Sequence, residues 1–323
     1  MDGPTYLDIK ECSDIGAEVF TNDYVRPQLP LIIRNGLRTW PAVNTWTPEW
    51  FADKYSDVRV PIAIGPRRQI SKVEIMTIRQ FVLAMASSTE HMYLRQFDIF
   101  ALLPELRVAS PDPELCPPDR DLVRNFWMGA NTLQPLHYDA HWKILGTCNL
   151  FAQVHGRKRI VLASPEQSPY LYERRGEDTD YHLSQVDIQN PDFRRFPLVR
   201  KATFWRGEVR AGDLLFVPLN YWHSMQSFGA SISISFWWHP HTISHLAHRL
   251  RTLASRDPKL ALQFAHQNEG VVTSKDVKEI GGISELRAGL QLVPERLREI
   301  VPIIFDREVR AALKAPVTRW YEK

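Results

Sequence analysis

Between about residues 124 and 240 apolar and polar positions alternate in short runs. They read "RNFWMGA" (124–130), "NLFAQV" (149–154), "RIVLAS" (159–164), "TFWRGEV" (203–209), "DLLFVPL" (213–219) and "SISISFWW" (231–238). Each is rich in aromatic and β-branched residues and is set off by Gly, Pro or Asp, the punctuation of short strands. Such a succession predicts a sandwich or barrel.

Upstream, helical and strand periods mix. "LPLIIRNG" (29–36) reads as a strand closed by Asn-Gly, and "VRVPIAIG" (58–65) and "HMYLRQF" (91–97) read as strands. "TPEWFADKYS" (47–56) predicts a short helix with Thr47 as N-cap and Pro48 in its first turn. "TIRQFVLAMASS" (77–88) predicts an amphipathic one. A Pro-rich stretch, 164–197, reads as a long surface excursion, and loops of that length are functional or tied down by their own side chains. After Pro240 the spacing turns helical over 243–256 and 284–315, with Pro294 and Pro302 as breaks. The expected organisation is mainly β: an α/β region over 1–90 packed on a barrel over 91–240, then a helical region over 241–323.

With 323 residues, 44% of them apolar, the chain can bury a large core. A formal charge of +3 is too balanced to argue for nucleic acid by itself. The basic clusters "GPRR" (65–68), "GRKR" (156–159), "ERR" (173–175) and "HRLR" (248–251) read as solvated faces. Cys12, Cys116 and Cys148 are far apart and fit a reducing compartment. "MDGPTYLDIKEC" shows no secretory leader, and no apolar run approaches a membrane span. An intracellular protein of the cytoplasm or nucleus, with no membrane partner, is expected.

Candidate chemistry starts at "HYD". On a strand, His137 and Asp139 point to one face and Tyr138 to the other. His-x-Asp alone is a common accident in a chain with 11 histidines, and a surface His beside a turn Asp would explain it equally well. His223 changes the balance, since it ends "GDLLFVPLNYWH", a turn, a strand and a Pro stop. Two histidines and a carboxylate with open positions make the facial triad of non-haem Fe(II) oxygenases. "NLFAQVHGRKRIVLASP" reads as a hairpin turning at His155-Gly156, which would set Lys158 opposite the strand of Asn149. A lysine inside a barrel needs an anion, which a dicarboxylic cosubstrate would supply. Ser231, Ser233, Ser235 and Trp237 share one face of their strand, either lining a cavity or lying at a sheet edge in water.

Together "PLHYD" (135–139), "NLFAQVHGRKRIVLASP" (149–165), "SQVDIQNPDFRRFP" (184–197), "AGDLLFVPLNYWHSM" (211–225) and "SISFWW" (233–238) resemble the JmjC-domain oxygenases. The nearest group is the small hydroxylases, which include factor inhibiting HIF and the arginyl-hydroxylase branch. The resemblance covers roughly 90–240, and more loosely the N-terminal part. It implies a double-stranded β-helix (cupin-like jelly roll) with an N-terminal α/β elaboration and C-terminal helices. It also implies Fe(II), 2-oxoglutarate as cosubstrate, and O₂. Carried over by motif, His137, Asp139 and His223 are the iron ligands. Lys158 pairs with the distal carboxylate of 2-oxoglutarate, helped by Tyr93; Asn149, Ser235 and Trp237 complete the cosubstrate pocket.

Two positions depart from the pattern. Gln134 stands where the family has a Ser or Thr that contacts the cosubstrate. "AHWKILGTC" (140–148) lengthens the family's short spacing between Asp and Asn, either as a larger loop beside the iron or as an error in the gene sequence. Its His141 and Cys148 are not counted as ligands.

The implied reaction is a dioxygenase one, hydroxylation of a protein or peptide side chain with succinate and CO₂ as coproducts. Hydroxylation of a modified tRNA base comes second and demethylation of histone N-methyl-lysine third. A binding module that keeps the fold without turnover is the reading from a different class. The C-terminal helices imply a homodimer.

Overall fold

The computed structural model describes residues 3–66, 71–88, 90–118, 120–139, 146–174, 182–291, 293 and 295–314. The expected break at Pro294, residues 140–145 with His141, and Arg67, Arg68 and Arg175 of the basic clusters lie outside these. The chain divides into two compact units, Met1–Asp139 with Cys148–Trp238, and Ala140–Thr147 with His239–Lys323.

The first unit is built on a twelve-stranded sheet. Its strands are β1 (Thr5–Asp8), β2 (Lys10–Cys12), β3 (Leu31–Ile33), β4 (Arg59–Gly65), β5 (Lys72–Thr77) and β6 (His91–Phe97). They continue with β7 (Val123–Ala130), β8 (Leu133–His137), β9 (Cys148–Ala163), β10 (Thr203–Arg210), β11 (Leu214–Val217) and β12 (Trp222–Trp238). The neighbour order is β2-β3-β11-β9-β12-β7-β6-β4-β5, with β1-β10 and β8 attached beside β9 and β12.

Two long strands explain that branching. β9 pairs β11 through Asn149–Ala152 and β10 through Arg157–Leu162. β12 pairs β8 between His223 and Gln226 and β7 from Ala230 to Trp237. β9 and β12 are themselves antiparallel neighbours, with a register shift between Phe228 and Ile232. Each therefore serves two sheets, and the sheets close on each other as a jelly roll.

This corrects the expected hairpin at His155-Gly156: β9 runs straight through it. Gly156 has φ +73°, and a Cβ there would stand 2.1 Å from Ala230 O. Only glycine allows that positive φ and that close approach, so the position marks a bend in a continuing strand. Lys158 consequently lies opposite Ser227 on β12 and Val209 on β10, on the same strand as Asn149.

Strand alternation separates two apolar layers. Phe126 and Phe236 face the helices Pro48–Lys54 and Ile78–Ser87 in a cluster with Trp46, Phe51 and Phe81. Phe51 and Phe126 meet at 5.3 Å between ring centroids, and burying each such ring stabilises by about 1.5–3 kcal/mol. Thr47 caps its helix by accepting from Trp50 N, as expected. The opposite parity points inward, where Phe151, Ile160, Leu162, Val209 and Met225 form a second cluster.

In the second unit Ile243, Leu246 and Leu250 of the helix Thr242–Arg256 share a core with Leu286, Ile304, Phe305 and Val309. Two more helices, Pro258–Gln267 and Ser274–Glu279, follow it. The helical stretch expected over 284–315 with breaks divides into Ile283–Gln291, two 3₁₀ turns and Arg307–Lys314, with Pro302 in the second turn as one of those breaks. His239 Nδ1 lies 3.2 Å from Gly146 O, within this same unit. Among the described residues no helix is long and apolar enough to cross a membrane.

Candidate metal centre and cosubstrate pocket

β8 ends at His137, and β12 sets His223 directly opposite as its Cα partner. Asp139 follows two residues later, and its Oδ1 stands 3.5 Å from His223 Nε2 and 3.7 Å from His137 Nε2. One ligand atom from each of the three lies within 4.8 Å of the others. Among the described residues no other group of three such side chains gathers this way. Tyr138 points away, as alternation requires, packing edge-on to Trp222 and donating to Glu173 Oε1 at 2.5 Å.

Backbone carbonyls fix both rings. His137 Nδ1 lies 2.8 Å from Pro135 O and 3.1 Å from His223 O, and His223 Nδ1 lies 3.0 Å from Tyr221 O. A carbonyl only accepts, so each Nδ1 carries a proton and each Nε2 is turned to Asp139's side. Burial, then the neighbouring His223, holds His137 well below the ordinary histidine range, which keeps it neutral. Neutral imidazoles anchored through the other nitrogen, with one carboxylate, are the donor set that suits Fe(II).

The triad opens on a pocket. Of the residues singled out in the sequence, Tyr93, Gln134, Asn149, Ser235 and Trp237 line it. The serine face lies inside the barrel rather than at a wet edge, since Ser231, Ser233 and Ser235 are all buried. Asn149 Oδ1 and Trp237 Nε1 are buried without a hydrogen-bond partner among the described residues.

Lys158 sits behind this lining, 3% exposed. Its Nζ donates to Ser233 Oγ at 2.9 Å and approaches Tyr93 OH at 3.4 Å and the Phe151 ring centroid at 4.8 Å. Among the described residues no carboxylate reaches it, and burial pushes its pKa down to about 7. A buried ammonium without a counter-ion is expensive, whereas a dicarboxylate at this end of the pocket satisfies it. The residues present therefore fit both an iron and a dicarboxylic cosubstrate.

Three lining residues escaped the sequence reading: Trp127, Phe151 and Met225. Trp127 Nε1 donates to Ser235 Oγ at 2.9 Å, so it fixes one wall. Phe151 shares strand parity with Asn149, a signal that was present in "NLFAQ". The excursion closes the flank of β8, with Ser184 N on Leu136 O at 2.8 Å and Tyr138 N on His182 O at 3.2 Å. Gln134 is supported from the same side, its carbonyl accepting from Ser224 Oγ, which in turn accepts from Gln189 Nε2.

Comparison with known proteins agrees with this geometry. Residues 17–243 match a family described as a cupin-like domain. Lysine-specific demethylase 8 of Danio rerio is 32% identical over 68% of this chain and 56% of its own. The Bifunctional peptidase and (3S)-lysyl hydroxylase JMJD7 of Homo sapiens is 27% identical over 68% of this chain and 80% of its own. The tRNA wybutosine-synthesizing protein 5 of Danio rerio is 26% identical over 84% of this chain and 88% of its own. Against the demethylases of this group the chain spans a little over half their length. By its jelly roll, its His-Asp-His cluster and these matches, the chain belongs to the cupin-like JmjC-domain family of oxygenases.

Proposed function

We propose that the chain is an Fe(II)- and 2-oxoglutarate-dependent oxygenase that hydroxylates a protein side chain, with succinate and CO₂ as coproducts. One observation carries the reading. A buried lysine with no carboxylate near it among the described residues lies behind the same pocket whose rim holds two imidazoles and an aspartate.

His137 and His223 would hold the iron through Nε2 and Asp139 through a carboxylate oxygen, with the Nδ1 contacts preventing ring rotation. Lys158, Ser233 and Tyr93 would hold the distal carboxylate of 2-oxoglutarate, and Asn149 and Trp237 offer their unpaired polar atoms nearer the triad. When bound, iron and 2-oxoglutarate supply with O₂ an oxidative decarboxylation that drives oxygen insertion into an unactivated C–H bond. Trp127, Phe151 and Met225 keep that wall apolar and exclude water.

The test is basal succinate formation by the purified protein with Fe(II) and 2-oxoglutarate, which Asp139→Ala should abolish together with bound metal. Turnover that survives this substitution sinks the assignment. Absence of turnover in the parent protein would leave the non-catalytic module.

A second reading, hydroxylation of a modified tRNA base, is favoured by the extent of one match: the wybutosine-synthesizing relative aligns over 88% of its own length. Mass spectrometry of peptides and tRNA nucleosides, from cells with and without the protein, separates the two by where one oxygen atom is gained. The proposed assembly is a homodimer through the C-terminal helices. Light scattering that finds an active monomer removes it.

A further inference from the structure

The run "GRKR" is divided by the pleat of β9. Lys158 points into the barrel, while Arg157 and Arg159 are exposed on its outer face. Strand pairing brings them neighbours that are distant in sequence. Arg210 of β10 lies directly opposite Arg157 on one side, and Phe228 of β12 on the other. The guanidinium carbons of Arg157 and Arg159 stand 5.2 and 5.0 Å from the Phe228 ring centroid. Arg206 extends the same face of β10.

These arginines are open to solvent. The side chains of Arg157, Arg206 and Arg210 are 54%, 60% and 73% exposed. Among the described residues two carboxylates pair with three of the four cations. Glu208 meets Arg157 at 3.4 Å and Arg210 at 2.9 Å, and Asp8 meets Arg206 at 3.2 Å. Arg159 has no carboxylate within ion-pairing distance among the described residues. Like charges directly opposite across a ladder destabilise it, so Arg157 against Arg210 is an arrangement that folding alone does not favour.

We propose that this outer face of β9, β10 and β12 docks a single-stranded segment of nucleic acid. Alternate positions on a strand repeat every ~6.7 Å, which spaces Arg157 and Arg159 by about one phosphate step, while on β10 Glu208, opposite Arg159, stands between Arg206 and Arg210. Phe228 and the guanidinium planes beside it offer surfaces on which bases stack, the combination that binds single strands without reading their sequence. An acidic peptide would match the charge and leave the stacking surfaces unused. The proposal does not depend on the oxygenase reading, because no residue of the pocket takes part.

The experiment is fluorescence anisotropy of a labelled oligouridylate of roughly a dozen nucleotides against the full chain, with an oligothymidylate as a second probe and oligoglutamate as competitor. Binding should be present at low salt and weaken steeply as salt rises. Arg157→Gln with Arg159→Gln should weaken it about tenfold or more and flatten the salt dependence. Glu208→Gln should tighten it several-fold by removing the central negative charge. Binding by Asp139→Ala should equal that of the parent, which separates this proposal from the one about turnover. A melting temperature equal to the parent's shows that the double variant is folded; if it falls, Arg206→Gln with Arg210→Gln replaces it. Binding of either nucleic acid with these responses supports the proposal. No binding at low salt, binding indifferent to both arginine pairs, or displacement by oligoglutamate at equal charge overturns it.

Discussion

Lys158 Nζ on β9 lies 2.9 Å from Ser233 Oγ on β12, and the two residues are 3% and 0% exposed. The contact joins the two strands that both sheets share, and it does so with a cation. Burial pushes the lysine down to about 7 from an ordinary 10.5. Between those values the unfolded chain binds the extra proton, so the stability of the cosubstrate-free protein should rise with pH across that window. Lys158→Met should flatten that rise, raise the melting temperature at neutral pH, and weaken 2-oxoglutarate binding at least tenfold while metal content stays unchanged. Thermal melts, titration calorimetry and metal analysis check these outcomes. A variant that binds 2-oxoglutarate as tightly as the parent removes Lys158 from the pocket.

Gly129 faces Tyr93 across β7 and β6. A Cβ there would stand 2.8 Å from Tyr93 Cδ2 and 2.7 Å from Thr132 Cγ2, closer than packed atoms approach. Gly129→Ala should push the Tyr93 ring aside and carry its hydroxyl away from Lys158. We expect a several-fold loss of 2-oxoglutarate affinity with normal metal binding, and a comparable loss in Tyr93→Phe. Unchanged calorimetric affinity in both variants would show that the hydroxyl contributes nothing.

Gly156→Ala tests the bend that makes the jelly roll. The new methyl would meet Ala230 O at 2.1 Å on a backbone already at φ +73°. A left-handed non-glycine residue alone costs about 1–2 kcal/mol, and the collision adds to it. Urea unfolding should show a loss of about 3 kcal/mol or more. A variant within error of the parent would mean that the strand can pass this point without glycine.

That glycine also shows where sequence legibility stopped. A hairpin turn and a bulge both want a positive φ, so "VHGRK" looks alike in either role, and only the matching register shift in β12 decides between them. His137 and Asp139 were legible because two-residue alternation is local, and His223 because "VPLNYWH" restarts a strand right after a Pro stop. That His137 and His223 are direct cross-strand partners is a fact of register, which no short stretch contains. The face that joins Arg157 to Arg210 was hidden for the same reason, since β9 and β10 are separated in sequence by the long excursion. Trp127 was visible as an aromatic in a strand, but its inward direction depends on which face of β7 the helices cover.

The helical unit carries its own pH dependence at His239, which is 5% exposed. Its pKa is pushed down to about 3, first by burial and then by His248, whose ring centroid is 4.5 Å away. His245 and Arg251 push the same way, and the Gly146 carbonyl opposes them. The unfolded chain takes up a proton near pH 6.5 and the folded one does not, so the contribution is complete above 6.5 and is lost as pH falls toward 3. Each pH unit in that window removes up to about 1.4 kcal/mol. Melting followed by circular dichroism should therefore show the helical transition falling between neutral pH and about pH 5, and His239→Gln should remove most of that fall. If the variant keeps the parent's full dependence, the sensitivity belongs to other groups and His239 is only a packed ring.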